Sequence, residues 1–270
     1  MAIKMVASDL DLTLLNRQYQ VTPEVKTVAR QLVATGVQLV LVSGRMYPAA
    51  ARVAQQLELD VPIISYNGGS IKRGISGQVL FEKAVPHEIA VACTEYGLTQ
   101  GLVVQLYVND VLYTKEKNPY SDYYGQANGI AAEIQPDLLS LLDKGDSMKI
   151  LYMGTEEQLA KAAKDIQGQF PEEVYITTSH RGYMDILPAQ VNKGSSLQKV
   201  AALFDIAPAE ILAIGDNLND IPLLQTAGFG VAMGNAVPEL KEVADAVTGD
   251  TDEGGWCAAM KQYVLQPGQK

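Results

Sequence analysis

The chain has 270 residues, with 31 acidic side chains against 21 basic ones and a formal net charge of −10 at pH 7. Its 47% hydrophobic and 19% charged residues are typical of a globular protein with a sizeable core, in one large or two modest domains. This acidic balance argues against a nucleic-acid surface, which needs clustered positive charge. It still allows an anionic small molecule, because a basic group or a metal can invert the field within a pocket.

Cysteine usage and hydropathy indicate the compartment. Cys93 and Cys257 are far apart and in no metal-ligand spacing, which predicts buried thiols in a reducing environment. No apolar run is long enough to cross a bilayer, and the first strand begins without a basic and apolar leader. We therefore expect a soluble, cytoplasmic protein with no membrane or nucleic-acid partner, and either a monomer or a homodimer.

The first predicted strand ends in an unusual acidic turn, DLDLT. Its apolar run is followed at once by Asp9 and Asp11, with Thr13 two positions further on. Side chains two apart on a strand point the same way, so both carboxylates would emerge together. Two adjacent like charges are costly without a cation or a shared proton. The alternative is a plain acidic turn in which Asp11 and Thr13 cap the backbone.

The next elements repeat one rhythm, in which helices alternate with continuous apolar strands. Thr22-Pro23-Glu24 has the hydroxyl cap, early proline and acid that begin a helix. The strand Val37–Val42 ends at Ser-Gly-Arg, and the strand Val61–Ser65 ends at Tyr-Asn-Gly-Gly. Such alternation predicts a parallel sheet covered by helices on both faces.

The alternation of helices and apolar strands is interrupted in the middle of the chain and then resumes. A hairpin near residues 70–81 precedes paired strands and helices that predict an α+β unit over residues 84–187. After it, a helix opening at Lys193 and a strand ending in GDNLND resume the first pattern. We therefore predict an α/β fold: a doubly wound parallel-sheet core of residues 1–83 and 188–270, interrupted by an α+β insert.

Polar clusters follow the core strands, and these ends should meet. Ligands of open α/β sheets bind at the carboxyl ends of the strands, so DLDLT, SGR and GDNLND should line one crevice, joined by Lys193. Carboxylates without histidine neighbours suit a hard cation, Mg²⁺ above all. Lysine, the Ser43 hydroxyl and backbone N–H groups suit a phosphoryl group. A carboxylate nucleophile and a second carboxylic acid would complete phosphoryl transfer through an aspartyl phosphate.

These motifs, in this order and spacing over the whole chain, resemble the haloacid dehalogenase superfamily of phosphohydrolases. More narrowly, they resemble its Cof-type branch (subclass IIB), which has a Rossmann-like core and an α/β cap between the second and third motifs. The resemblance implies that Asp9 is the nucleophile, that Asp11 is the acid and base, and that Lys193 completes the catalytic set.

The resemblance also assigns the remaining site residues. The Mg²⁺ site would comprise Asp9, Asp11 through its main-chain carbonyl, Asp216 and Asp220, with Asp220 also supporting the lysine. The phosphorylated substrate would contact the residues of the SGR and NG motifs together with the lysine and an amide of the third motif, namely Ser43, Gly44, Arg45, Asn67, Gly68, Lys193 and Asn219. Arg45 could equally be a simple ion-pair partner.

One position departs from the family pattern, which usually has glycine where Leu12 stands. Leu12 implies a backbone that a non-glycine residue can adopt. The expected activity is hydrolysis of a small phosphorylated metabolite, a sugar phosphate by resemblance, with the insert as a lid. Two alternatives stay open: a phosphomutase, or a non-catalytic sensor of a phosphorylated ligand.

Tyrosines are frequent in the insert, and Arg181 and Tyr183 are candidates for holding the non-phosphate part of a substrate. Tyrosines at such positions more often belong to a core or a sheet face than to a ligand cage. The set comprises Tyr107, Tyr113, Tyr120, Tyr123 and Tyr124.

Overall fold

The structure is a computed structural model of the chain and describes residues 2–120, 122, 125 and 129–266. Tyr123 and Tyr124 lie outside the described residues. Within this range no helix is both long and apolar enough to span a membrane.

The chain forms two compact units. One comprises the chain up to Phe81 and from Asn192 onward, and the other is Glu82–Val191. The sequence-based boundaries fall after residues 83 and 187. The second boundary lies later in the structure, after Val191. The reason is that the backbone N–H of Ala189 donates to the carbonyl oxygen of Glu173, 2.8 Å away in the inserted unit.

The strands are numbered in chain order through both units. They are β1 Met5–Asp9, β2 Gln38–Val42, β3 Pro62–Ser65, β4 Ser70–Arg73, β5 Val79–Glu82, β6 Val103–Val108, β7 Val111–Thr114, β8 Glu133–Ile134, β9 Ser147–Met153, β10 Val174–His180, β11 Tyr183–Pro188, β12 Ile211–Gly215, β13 Phe229–Ala232 and β14 Ala246–Val247.

The described α-helices are numbered in the same way. They are α1 Pro23–Ala34, α2 Tyr47–Leu57, α3 His87–Thr99, α4 Leu139–Leu142, α5 Glu156–Gln169, α6 Lys193–Leu203, α7 Ile221–Thr226, α8 Pro238–Val243 and α9 Gly255–Met260.

The sheet of the first unit has the order β14-β13-β12-β1-β2-β3-β4-β5. Its six strands from β14 to β3 run parallel, and β4 pairs antiparallel with β3. The chain moves outward from β1 to β3 and, after the insert, outward on the other side from β12 to β14. The strand order therefore reverses between β1 and β12, which is where open α/β sheets bind ligands.

The central strands are buried on both faces, as their apolar runs predict. Every residue of β1 and β12 is buried, and helices pack on the sheet through one apolar cluster. Helix α1 begins as predicted, with Pro23 in its first turn and the Thr22 hydroxyl accepting from the Val25 N–H. The predicted doubly wound parallel sheet is confirmed.

The inserted unit has a mainly antiparallel sheet of order β10-β11-β9-β6-β7-β8, in which β7 and β8 pair in parallel. A second apolar cluster lies between this sheet and its helices. The sequence did not predict the two-residue strands β8 and β14, because such short segments have no periodicity to read.

Candidate active site

The centre of the site is an ion-paired lysine. Asp9 is the last residue of β1, and Lys193 is the first residue of α6, 184 positions away. The Lys193 Nζ lies 2.6 Å from Oδ1 of Asp9 and 2.5 Å from Oδ1 of Asp220. The lysine side chain is 1% exposed. A lysine considered by itself is usually at the surface, but the other motifs predict Lys193 in their crevice, and the structure has it beside the first acidic motif.

The third motif forms a tight turn after β12 that fixes Asp220. Its Oδ2 accepts hydrogen bonds from the backbone N–H groups of Asp216 and Asn217, at 3.0 and 3.1 Å. Asp216 is 8% exposed, and its Oδ1 accepts from the Thr13 hydroxyl at 3.5 Å. Both oxygens of Asp220 are thus used within the protein, which suits a supporting role for this carboxylate.

Three carboxylates lie close enough to share a metal ion. Ligand oxygens of Asp9, Asp216 and Asp220 all fall within 4.8 Å of one another, and all three residues are buried. Burial first, and then the charges of neighbouring carboxylates, raise the pKa of Asp9 to about 7 and that of Asp216 to about 9. The raised pKa values indicate more carboxylates than the nearby positive charge can offset, and an all-oxygen site of this kind fits a hard divalent cation.

Lys193 only partly offsets this negative charge. Burial by itself would lower the lysine pKa, but the carboxylates of Asp220 and Asp9 outweigh burial and hold the pKa above its ordinary value. The lysine is therefore permanently cationic at physiological pH. The raised pKa values of Asp9 and Asp216 indicate that one fixed cation does not offset three ionised carboxylates, and a bound metal ion would favour their ionised forms.

Asp11 points elsewhere, toward the second motif. Arg45, 7% exposed, donates through Nε to both Asp11 oxygens at 3.1 and 2.9 Å, and through a terminal nitrogen to Oδ1. The Arg45 guanidinium also lies over the Tyr19 ring, 5.6 Å from its centroid. Arg45 is therefore an ion-pair partner of Asp11 and also lies at the candidate site. Its contact with substrate stays a prediction.

The SGR and YNGG turns interlock with the third motif. The Asn67 N–H donates to the Ser43 carbonyl at 3.0 Å, and the Asn219 side chain donates to Oδ1 of Asn67 at 2.9 Å. A Cβ on Gly44 would lie 2.9 Å from that same Asn67 oxygen, so glycine is needed for this approach. These predicted phosphate-binding residues therefore form one network.

Gly68 connects this network to the helix that carries the lysine. Its φ of +114° suits glycine alone, and a Cβ there would lie 2.4 Å from the Asn192 carbonyl oxygen. The Ser196 hydroxyl donates to the Gly68 carbonyl at 2.7 Å. Asn192 caps α6, because its side chain accepts from the Ser195 N–H at 2.8 Å. The lysine is thus placed by contacts within the first unit.

Comparison with known proteins assigns the family. A family model described as haloacid dehalogenase-like hydrolase matches residues 6–260. The chain belongs to the haloacid dehalogenase-like hydrolases. Its relatives include the 5-amino-6-(5-phospho-D-ribitylamino)uracil phosphatase of Bacillus subtilis, 29% identical over 277 residues, with 94% of this chain and 95% of that protein covered. Consistent with its phosphatase relatives, this hydrolase is a phosphoric monoester hydrolase.

Solved structures agree with the fold. A haloacid dehalogenase-like hydrolase from Bacteroides thetaiotaomicron superposes with a TM-score of 0.87 at 27% identity, over 96% of this chain and 98% of that one. A subclass IIB sugar phosphatase superposes with a TM-score of 0.83 at 22% identity, over 96% and 98% of the two chains. The second likeness concerns the fold alone.

In the first motif, Leu12 adopts the left-handed backbone conformation that glycine usually takes. Leu12 has φ 57° and ψ 15°, a left-handed conformation that costs an L-residue about 1 kcal/mol. The Asn235 side chain donates to the Leu12 carbonyl at 2.9 Å, and Oδ1 of Asn235 accepts from the Thr251 N–H at 3.0 Å. These two hydrogen bonds hold the backbone at the position where this chain lacks the family's usual glycine.

Sequence reasoning missed Asn235 and Tyr19. Asn235 follows β13, so the rule that found the other motifs, polar residues after a parallel strand, would also have found it. Tyr19 carried no signal, since it lies in a loop with no motif around it.

Proposed function

We propose that the protein is a Mg²⁺-dependent phosphatase that hydrolyses a small sugar or polyol phosphate through an aspartyl phosphate on Asp9. The observation that carries this proposal is the buried contact of Lys193 with Asp9, at 2.6 Å, beside Asp216. A carboxylate so placed combines a nucleophile with fixed positive charge for a phosphoryl oxygen.

In the first half-reaction, Asp9 attacks phosphorus. Its Oδ1 is held by Lys193, while its Oδ2 accepts no hydrogen bond from the described residues, which leaves Oδ2 as the attacking oxygen. The new bond joins Oδ2 to phosphorus as the bond from phosphorus to the ester oxygen breaks. Asp11 transfers a proton to that oxygen, and the alcohol leaves.

In the second half-reaction, water replaces Asp9. Asp11, now a carboxylate, takes a proton from the water molecule while the water oxygen forms a bond to phosphorus. The bond between phosphorus and Asp9 breaks, which releases inorganic phosphate and regenerates the nucleophile. Arg45 supports both steps as a positioning residue, because its contacts with Asp11 fix the carboxylate two positions from Asp9.

The metal site fits Mg²⁺. Asp9, Asp216 and the main-chain carbonyl of Asp11 would hold the ion, with Asp220 in support. When bound, Mg²⁺ neutralises charge on the phosphoryl group. Meanwhile Ser43, Asn67 and backbone N–H groups of their turns orient the phosphoryl oxygens.

The name of one relative supports a leaving group that carries several hydroxyl groups. The Bacillus subtilis phosphatase acts, by its name, on a phosphate ester of a ribityl chain. We extend only that chemistry, a phosphate on a hydroxylated carbon chain, to this protein. A small metabolite of this kind suits a cytoplasmic enzyme with no nucleic-acid or membrane partner.

The test measures phosphate release from p-nitrophenyl phosphate, with Mg²⁺ and with EDTA. We expect Asp9→Asn to lose at least about a thousandfold in kcat while its melting temperature is kept. Asp143→Asn, an exposed carboxylate in the inserted unit, is the matched control. Full activity of Asp9→Asn, or of the parent in EDTA, would refute the mechanism.

Product analysis separates the alternatives. A phosphomutase would return the phosphoryl group to a sugar hydroxyl and release little inorganic phosphate. A sensor would bind the ester without consuming it. Acid-quenched single turnovers with radiolabelled substrate should leave label on Asp11→Asn protein, and hydroxylamine should remove that label, as expected for an acyl phosphate.

A further inference from the structure

A buried serine lies next to Asp9 on strand β1, and its hydroxyl contacts the main chain of that aspartate. The Ser8 Oγ donates to the carbonyl oxygen of Asp9, 2.8 Å away. Ser8 is 0% exposed, and its register partners on the two flanking strands are Leu41 and Ile214. A hydroxyl among apolar neighbours must find its hydrogen-bond partners within the protein.

The same hydroxyl also accepts a hydrogen bond, from the C-terminal part of the chain. The indole Nε1 of Trp256, on helix α9, lies 2.9 Å from the Ser8 Oγ, and the tryptophan is 1% exposed. An indole N–H can only donate, whereas a hydroxyl both donates and accepts. The Ser8 oxygen therefore accepts from the indole while its single proton goes to the Asp9 carbonyl. We call these two hydrogen bonds the Trp256–Ser8 link.

The turn that precedes Trp256 holds its backbone in place. A Cβ on Gly255 would overlap the carbonyl oxygen of Gly249, so two stretches of main chain touch at this point. The Gly255 N–H donates to the Asp250 carbonyl at 3.0 Å, and its carbonyl accepts from the Thr248 hydroxyl at 2.8 Å. The indole therefore projects from a backbone that close packing and hydrogen bonds fix.

Asp9 lies where the backbone leaves the sheet. The register of β1 with β12 runs from Met5 to Ser8, and its register with β2 ends at Asp9. Three positions further on, Leu12 already has a left-handed backbone. The hydrogen bond from Ser8 thus holds the Asp9 carbonyl at the last point before the chain turns away from the sheet.

The backbone of Asp9 decides how its carboxylate is directed. Lys193 contacts Oδ1 at 2.6 Å, which fixes one oxygen but not the direction of the other. In-line attack on phosphorus needs that direction too, and a displacement of about 1 Å can cost about a hundredfold in rate. The Trp256–Ser8 link supplies a second anchor, on the main chain behind the carboxylate.

We propose that Ser8 and Trp256 are positioning residues for Asp9, and that their link holds the Asp9 main chain in the orientation needed for attack on phosphorus. Neither side chain touches the reacting atoms. The inference rests on the proposed phosphatase function and adds to it two residues behind the nucleophile. A positioning role predicts a loss of kcat, whereas a purely structural role predicts a loss of stability alone.

The test measures kcat and KM for p-nitrophenyl phosphate with saturating Mg²⁺ in the full-length protein. Ser8→Ala removes the hydroxyl, and Trp256→Phe keeps an aromatic ring but removes the indole N–H. We expect kcat to fall by about tenfold in Ser8→Ala, which breaks both hydrogen bonds, and by about threefold in Trp256→Phe, which breaks one. KM should stay within about twofold, since no group that holds the phosphoryl oxygens is changed.

The double variant tests whether the two residues act as one link. Once Ser8→Ala has removed the hydroxyl, the indole has no group to act through. The kcat of the double variant should therefore equal that of Ser8→Ala within about twofold. Two independent packing defects would instead multiply, to a loss of about thirtyfold.

Ile211→Val is the matched control for lost core packing. Ile211 is buried on β12 beside Met5, at the opposite end of the β1 ladder from Asp9. This variant should lower the melting temperature and keep kcat within about twofold of the parent. All rates are measured well below the lowest melting temperature of the set, so that every protein is folded in the assay.

The outcomes separate this inference from the function on which it rests. Parental kcat in Ser8→Ala, losses that multiply in the double variant, or an equal loss of kcat in Ile211→Val each overturn the positioning role and leave the phosphatase standing. If Ser8→Ala does not fold, Trp256→Phe decides: a loss of kcat at unchanged KM supports the link, and parental kcat overturns it. A parent that releases phosphate from no ester with Mg²⁺ overturns the proposed function, and this inference with it.

Discussion

Replacing Lys193 by methionine should show how much one buried cation contributes to the free energy of unfolding. The change keeps the length of the side chain and removes its charge from contacts of 2.6 and 2.5 Å with Asp9 and Asp220. Removing one partner of a buried ion pair costs about 3–5 kcal/mol in the free energy of unfolding, because the remaining charge has no compensation. We expect a loss in this range at about pH 8 in the absence of metal.

The loss should depend on pH in a defined direction. In the intact protein the folded-state pKa of Asp9 is about 7, above its unfolded value, and without Lys193 it rises further. Below about pH 7 the carboxyl is protonated in both proteins, so the deficit is smallest there. Above that pH the deficit should widen by up to about 1.4 kcal/mol per pH unit.

Urea unfolding of metal-free protein at several pH values measures this deficit. Lys199→Met is the matched control on the same helix, since Lys199 is exposed, and it should change stability by less than about 0.5 kcal/mol. A Lys193→Met deficit below about 1 kcal/mol, or one independent of pH, would refute the electrostatic reasoning.

Three further predictions concern the metal, the acid and the first turn. Because burial raises the folded pKa of Asp9 from 3.8 to about 7, metal-free protein should lose stability as pH rises between these two values, and Mg²⁺ should restore it; thermal melts with and without EDTA measure both. Arg45→Lys loses the forked contact with Asp11 and should lower kcat for p-nitrophenyl phosphate by about tenfold with little change in melting temperature; equal kcat would contradict the positioning role. Asn235→Ala removes the hydrogen bond to the Leu12 carbonyl and should cost about 1–2 kcal/mol, and pairing it with Leu12→Gly should recover part of that loss in urea unfolding.

The strand ends of the core could be predicted because chemistry and geometry coincide there. A continuous apolar strand followed by acidic residues specifies both a buried element and the place where its polar end emerges. Asp9 and Asp216 lie at the carboxyl ends of the adjacent parallel strands β1 and β12, so their proximity follows from strand order. Lys193 could be assigned to the site only together with the other motifs, because a single lysine at a helix start has no pattern of its own.

Other features depend on contacts that no local pattern encodes. The pairing of Arg45 with Asp11 joins two loops, and the partner of a long side chain is decided by packing. The left-handed Leu12 is a similar case: its residue type argued against a glycine-like backbone, but one side-chain hydrogen bond from Asn235 holds that backbone. Gln105 is a further case: its buried Nε2 has no hydrogen-bond partner in the described part of the chain, and nothing in the strand's sequence pattern indicates this.

The start of helix α6 has a consequence for how this architecture can be varied. Asn192 is the first residue after the insert, and its cap, together with the hydrogen bond from Ser196 to Gly68, positions the helix within the first unit. Lys193 therefore takes its position from its own unit and not from the length of the intervening segment. We therefore expect that the segment between Phe81 and Asn192 can be exchanged for inserts of other sizes while Lys193 keeps its contacts with Asp9 and Asp220.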